Sequence, residues 1–224
     1  MASAYSTKGT KVCVLKGAAT ATNATPTAIS KAAPAVVTVA STAGLLAGDM
    51  VKIPASGATG CTGFPQLDGK SWIVDSVTGT SFTLLGSDTV GATQTLAAGA
   101  SIRGYNDADF ECLCLSSITF NPESTSNVSV ATFCDPTATI PSQVVGSGTV
   151  DIAGFVDISD AGYKELMEAY EDGKARDFRI KLGNDQGYIM LNGILSALNV
   201  DIPIDGATGY TGTISLSSRY RHLF

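Results

Sequence analysis

The chain is expected to be mainly β, with one α-helix packed on a sheet and a small β-barrel inserted near the N-terminal end. Three observations lead there. Short runs of alternating apolar and polar residues recur between Gly-rich turns along most of the 224 residues. One stretch, SDAGYKELMEAYEDG at 159–173, has a helical period instead. Residues 17–104 differ in texture from what flanks them, being rich in Ala, Thr, Gly and Ser and poor in charge.

In chain order, KVCVLK forms a first strand after a polar arm. Four strand-like pieces follow in the middle segment, AVVTVAS, DMVKIP, KSWIVDSV and SFTLL, separated by AGLLAGD, LDGK and VTGT. Four strands at such close spacing suggest a small antiparallel barrel or sandwich, with Trp72 and Phe82 as its core aromatics. FECLCLSSITF then reads as one long strand, VSVATF as another, and CDPTATIPSQVVGSG as a long loop marked by Pro136 and Pro141. VDIAGFVDI places Val150, Ile152, Val156 and Ile158 on one strand face.

The helix spans about 160–172. Tyr163, Leu166, Met167 and Tyr170 fall at i, i+3, i+4 and i+7 and form the stripe that packs on the sheet. Asp160 is placed to cap its N-terminus and Gly173 to end it. RDFRIKL follows as a strand with Phe178, Ile180 and Leu182 inward and Arg179 and Lys181 outward. A turn at GNDQG leads to the long strand GYIMLNGILSALNVDIPI, and DGATG leads to the last, YTGTISLSSRYR, in which Tyr210, Ile214, Leu216 and Tyr220 alternate with polar residues.

This pattern divides the chain into an outer β-rich domain, 1–16 with 105–224, and an inserted small β-barrel, 17–104. Charge follows the same division. The middle segment has Lys31, Lys52, Lys70 and Arg103 against Asp49, Asp68, Asp75 and Asp88, so the net charge of −6 belongs to the outer domain. No apolar run is long enough to cross a bilayer as a helix, and the N-terminus lacks the pattern of a secretory signal.

The residue types that carry chemistry are sparse. The single histidine, His222, lies close to the C-terminal end, which argues against a catalytic triad. No P-loop, dinucleotide fingerprint, nucleophile elbow or zinc-protease motif occurs, and no cofactor is expected. Asp151 and Asp157 are the available acids for a carboxylate mechanism, with nothing to single them out. The five cysteines include no C-x-x-C pair; Cys112 and Cys114 read as small buried residues, and neither a metal site nor a disulfide framework is expected. The net charge has the wrong sign for binding phosphates. Glu165 and Glu168 on the helix could meet basic residues of a neighbouring subunit, Arg176, Arg179, Arg219 or Arg221 among them.

Three stretches, SITFNPESTSNVSVATFCD, GTVDIAGFVDISDAGYKELMEAYEDGKARDFRIKLG and GYIMLNGILSALNVDIPIDGATGYTGTISLSS, together resemble the major tail tube proteins of long-tailed bacteriophages. The shared order is a strand pair ending in a turn with Thr132 and Asp135, a proline-containing loop, strand, helix, strand and two closing hairpins. PAVVTVASTAGLLAGDMVKIP and LDGKSWIVDSVTGTSFTLL are similar to the small FCCH-type β-barrel of ubiquitin-activating enzymes, as found in phage structural proteins.

The resemblance implies a tail-tube-type β-sandwich in a non-enzymatic virion protein. Its subunits would stack as homohexameric rings into a conduit for DNA ejection, be assembled in the host bacterial cytoplasm and reside in the virion tail. Implied partners are further copies of the chain, a tape-measure protein, tail terminator and distal tail or baseplate proteins, and double-stranded DNA in transit without specific binding; no membrane is implied. Self-assembly would draw on Ile140, Val144 and Val145 of the loop together with Glu165, Glu168, Arg179 and Arg219. The alternative is a surface binding or adhesion module of a virion, which would need Trp72 exposed as an aromatic platform.

Overall fold

A computed structural model describes residues 10–42, 44–54, 64–92, 100–121, 148–183, 186–218 and 220–224, and the backbone of 127–129 and 139–141. The fold is mainly β. Its strands in chain order are β1 (Lys11–Leu15), β2 (Thr22–Ala24), β3 (Pro26–Ile29), β4 (Val36–Val39), β5 (Met50–Lys52), β6 (Ser71–Thr78), β7 (Ser81–Leu84), β8 (Ile102–Tyr105), β9 (Phe110–Leu113), β10 (Leu115–Asn121), β11 (Asn127–Ser129) and β12 (Thr139–Pro141). They continue as β13 (Thr149–Phe155), β14 (Arg176–Lys181), β15 (Tyr188–Asp201), β16 (Gly209–Leu216) and β17 (Arg221–Leu223), with α1 (Ala161–Asp172) between β13 and β14.

The middle segment builds a seven-stranded antiparallel sheet in the order β2-β8-β5-β6-β7-β4-β3. The four strands expected there from alternation correspond to β4 to β7. The sheet gains β2 (TNA), β3 (PTAI) and β8 (IRGY), three- or four-residue strands too short to show a clear period. β6 serves both halves, pairing β5 through Ser71–Ile73 and β7 through Val74–Thr78, with a bulge between Val74 and Val77 that bends the strand from one partner to the other. Val37, Met50, Val51, Ile73, Phe82, Leu84 and Ile102 are almost fully enclosed. Buried hydroxyls do the rest: Ser87 Oγ accepts from Ala35 N at 2.8 Å, and Thr89 Oγ1 donates to Ser30 O at 2.7 Å. These bonds satisfy loop backbone that would otherwise be buried without partners.

The second sheet runs β10-β13-β16-β15-β14-β1-β9, with β17 beside the start of β15. β14 differs from the expected alternation, and β1, beside it, is enclosed. β1 is central, between β14 and β9, and both its faces are covered, so Val12, Cys13 and Val14 are all buried. β14 is likewise closed on both sides: Arg176, Asp177 and Arg179 are buried together with Phe178 and Ile180.

FECLCLSSITF, expected as one strand, is two. β9 and β10 lie at opposite ends of the sheet's strand order, and Cys114, exposed, sits between them. Cys13 and Cys112, directly opposed in the β1–β9 ladder, form a disulfide where none was expected, and Cys112 and Cys114, expected as small buried residues, are both exposed. Val150 and Ile152 face inward on β13 as expected, but the strand ends at Phe155, and Ile158 lies beyond it in a turn, 78% exposed. Part of the stretch expected as loop, Thr139–Pro141, is a strand paired with Asn127–Ser129.

Contacts cluster into two compact units. One comprises residues 1–113, 176–191 and 220–224; the other comprises 114–175 and 192–219.

Candidate assembly surface

The second unit is built around α1 and the sheet formed by β10, β13, β16 and the distal part of β15. Asp160 caps the helix as expected, its Oδ2 accepting from Tyr163 N at 3.2 Å. Just before it, Asp157 accepts from Ser159 Oγ at 2.6 Å and from Ser159 N at 2.8 Å, which holds its carboxyl below the usual range. Gly173 ends the helix in the left-handed region, φ 60°. Asp172 turns its carboxylate to the Lys174 N–H at 2.9 Å, which gives an acid at this unfavourable end of the helix a local partner.

The helix's buried stripe is Gly162, Tyr163, Leu166 and Ala169. Tyr163 and Leu166 are where spacing put them. Tyr170 is not: it is 42% exposed, Ala169 is fully buried in the last turn, and Met167 is half-buried. A small residue there lets the helix approach the sheet closely, turning the longer ring outward. Tyr163 meets Tyr210 of β16 with ring centroids 5.3 Å apart, and Tyr210 in turn covers Gly154 of β13. Burial pushes the Tyr210 hydroxyl up to about 12. Glu165 is half-buried and Glu168 exposed on the other side of the helix.

Two features of this unit are open. β10 pairs only with β13, and among the described residues no strand adjoins its other edge. None of its seven residues is buried. Ile118 and Phe120, opposite the enclosed Ile152 and Val150, remain only half-buried. The second feature is an apolar rim at one end of the sheet. Gly209 of β16 pairs with both Phe155 of β13 and Asp201 of β15, and Val156 N donates to Thr208 O at 2.9 Å, which brings three chain segments to the same end. Phe155 at the end of β13 is 60% exposed, and Ile202 and Ile204, which follow the end of β15, are 76% and 102% exposed.

The other expected assembly residues fall elsewhere. Arg179 is buried in the first unit: it donates to Gly48 O at 2.9 Å, pairs with Asp107 and stacks 4.3 Å over Phe110. That makes it a structural cation of its own chain and corrects its expected place on a wet face. Arg176 is buried as well, and Arg221 lies 4.3 Å over Trp72 and donates to Ser71 O, with burial lowering its guanidinium to about 10. Ile140 is paired through its backbone with Val128; its side chain, and Val144, Val145 and Arg219, lie outside the described residues.

Asp151 and Asp157 are held locally. Asp151 accepts from Asn121 Nδ2 at 2.6 Å and Thr213 Oγ1 at 2.8 Å, while Asp157 belongs to the turn before the helix. Among the described residues no group of three or more His, Cys, Asp or Glu could hold a metal, and no helix is long and apolar enough to cross a membrane. Trp72 is 5% exposed, its Nε1 donating to Leu67 O at 3.4 Å.

No family model and no curated protein matches the chain. Among solved structures, one similar chain belongs to the tail of an empty gene transfer agent particle, refined helically with C6 symmetry. It is 15% identical with a TM-score of 0.39, over 53% of this chain and 89% of that one. Another belongs to the virion of a native gene transfer agent particle, 17% identical with a TM-score of 0.36, over 53% of this chain and 92% of that one.

Proposed function

We propose that the protein is a structural subunit of a phage-type tail that assembles with copies of itself into a tube. The observation that carries this reading is the surface of the second unit: β10, which has no strand on its outer side among the described residues and whose apolar side chains are only half-buried, and exposed apolar residues towards one end of the same sheet. Exposed edges invite strand addition, and isolated proteins normally blunt them. Exposed apolar residues gathered in one place mark a surface that another protein covers. Subunits that close into rings and stack would satisfy both.

The three resembling stretches run through this unit, which extends the proposal to hexameric rings around a tape-measure protein, bounded by terminator and baseplate proteins, and to DNA passing through. The acidic balance suits a conduit, since each basic contact to a phosphate would add salt-dependent affinity and slow transit. Residues 17–104 would be an inserted FCCH-like barrel that decorates the tube. The adhesion reading has less support, because Trp72 is enclosed beneath Arg221.

Sedimentation velocity tests the rim. Ile202→Asp with Ile204→Asp places charge on two exposed side chains, so the fold is retained while self-association weakens by roughly 10-fold or more. Association unchanged in a folded double variant would remove the rim from the interface.

A further inference from the structure

The Cys13–Cys112 disulfide lies in a cleft of about 360 Å³ that is also lined by Lys11, Arg179, Lys181, Asp49, Asp107 and Tyr188. As residues, Cys112 is exposed and Cys13 is 3% exposed, which makes Cys112 the more approachable end of the bond and Cys13 the more shielded. The ladders put cations around the shielded one. Arg179 is the cross-strand partner of Cys13 on β14, and Lys11 pairs with Lys181 two residues along the same face. Asp107 is engaged with Arg179, and Asp49 Oδ2 accepts from Leu46 N at 2.8 Å. The cleft is therefore lined by three cations and two carboxylates, a positive balance even though Arg179 and Asp107 pair with each other.

We propose that Cys13–Cys112 is a thiol-exchange site for low-molecular-weight anionic thiols of the glutathione class, and acts as a redox-controlled clasp on the seven-stranded segment. The incoming thiolate attacks the exposed Cys112 sulfur. The S–S bond breaks, a mixed disulfide forms at Cys112, and Cys13 leaves as a thiolate stabilised by its cationic neighbours. A second thiolate attacks the sulfur of the bound small thiol, freeing Cys112 and releasing the small-molecule disulfide. The protein disulfide gains the two electrons that the two small thiols lose, and their two protons pass to the freed cysteines or to solvent.

The clasp's place in the chain gives this reaction a consequence. Residues 13 and 112 lie 99 apart, and every strand of the seven-stranded sheet lies between them. At the same root Lys16 N donates to Asp109 O at 3.0 Å, and Lys16 pairs with Glu111 at 2.6 Å. These weaker ties and the four-residue β1–β9 ladder remain once the disulfide opens. Reduction thus loosens β9 without unfolding the sheet beyond it. Closing so long a loop is where a disulfide has its largest effect on the unfolded chain, so the melting temperature falls by about 10 °C on reduction. The inference is independent of the tube reading.

Peptide mapping after alkylation, on full-length protein equilibrated with oxidised or reduced glutathione without denaturant, provides the test. The linked Cys13–Cys112 peptide is expected in the first case and both alkylated cysteines in the second, with faster hydrogen exchange in β9. Lys11→Glu with Lys181→Glu, at exposed and half-buried positions, is expected to slow opening by glutathione roughly 3-fold or more and to leave uncharged 2-mercaptoethanol unaffected. Absence of the linked peptide in oxidised glutathione would overturn the proposal. So would a bond that opens only on unfolding, or equal slowing of both thiols by the charge reversal.

Discussion

Gly154 shows how a single side chain, or its lack, sets the position of the helix. A Cβ there would lie 2.7 Å from the Tyr210 ring and 2.8 Å from Cys114 O. Gly154→Ala must therefore displace Tyr210, and with it the contact to Tyr163, at a cost of about 2 kcal/mol. A melting temperature unchanged by the substitution would show that the Tyr210 ring is not held where it covers β13. Asp49 offers a second check. Burial raises its carboxyl above the ordinary 3.8, against the pull of the Leu46 N–H. The folded state then takes up the proton first, so this group adds stability as pH falls from its folded pKa toward 3.8. Asp49→Asn lacks that gain, and the wild type's advantage should grow as pH is lowered through this window. A difference between the two proteins that stays constant across the melts would contradict it.

For the elements, the contrast between Leu166 and Tyr170 is the sharpest. Leu166 is fully enclosed, so Leu166→Ala is expected to cost about 3 kcal/mol in chemical denaturation. Tyr170→Ala should cost under about 1 kcal/mol, because the ring is already part-solvated; equal costs would restore the stripe drawn from spacing. That stripe was legible at Tyr163 and Leu166, where apolar residues face a sheet. It failed at Tyr170 because hydrophobicity alone does not say which residue is small enough for close approach. The caps Asp160 and Gly173 were legible because each follows from local backbone geometry. β2, β3 and β8 were not, since strands of only three or four residues owe their place to neighbours. The burial of Arg179 and the pairing of Cys13 with Cys112 depend on which strands adjoin β1, and that is decided by contacts distant in sequence. Phe155, Ile158, Ile202 and Ile204 were visible as hydrophobic, but their exposure follows from where β13 and β15 end, which alternation alone does not mark.

Over the whole molecule, the formal charge of −6 bears on assembly. Like-charged subunits repel, and salt screens that repulsion over about 10 Å at 0.1 M. If the contacts between copies are chiefly apolar and backbone-mediated, self-association should strengthen as salt is raised; light scattering that falls with added salt would point instead to ion pairs across the interface. The most direct measurement is negative-stain electron microscopy of the purified protein across a concentration series. Rings are expected at intermediate concentration and hollow tubes of constant diameter at high concentration. Particles that remain single subunits at every concentration, while staying folded, would contradict the claim that the open edge and apolar rim suffice to assemble the protein with itself.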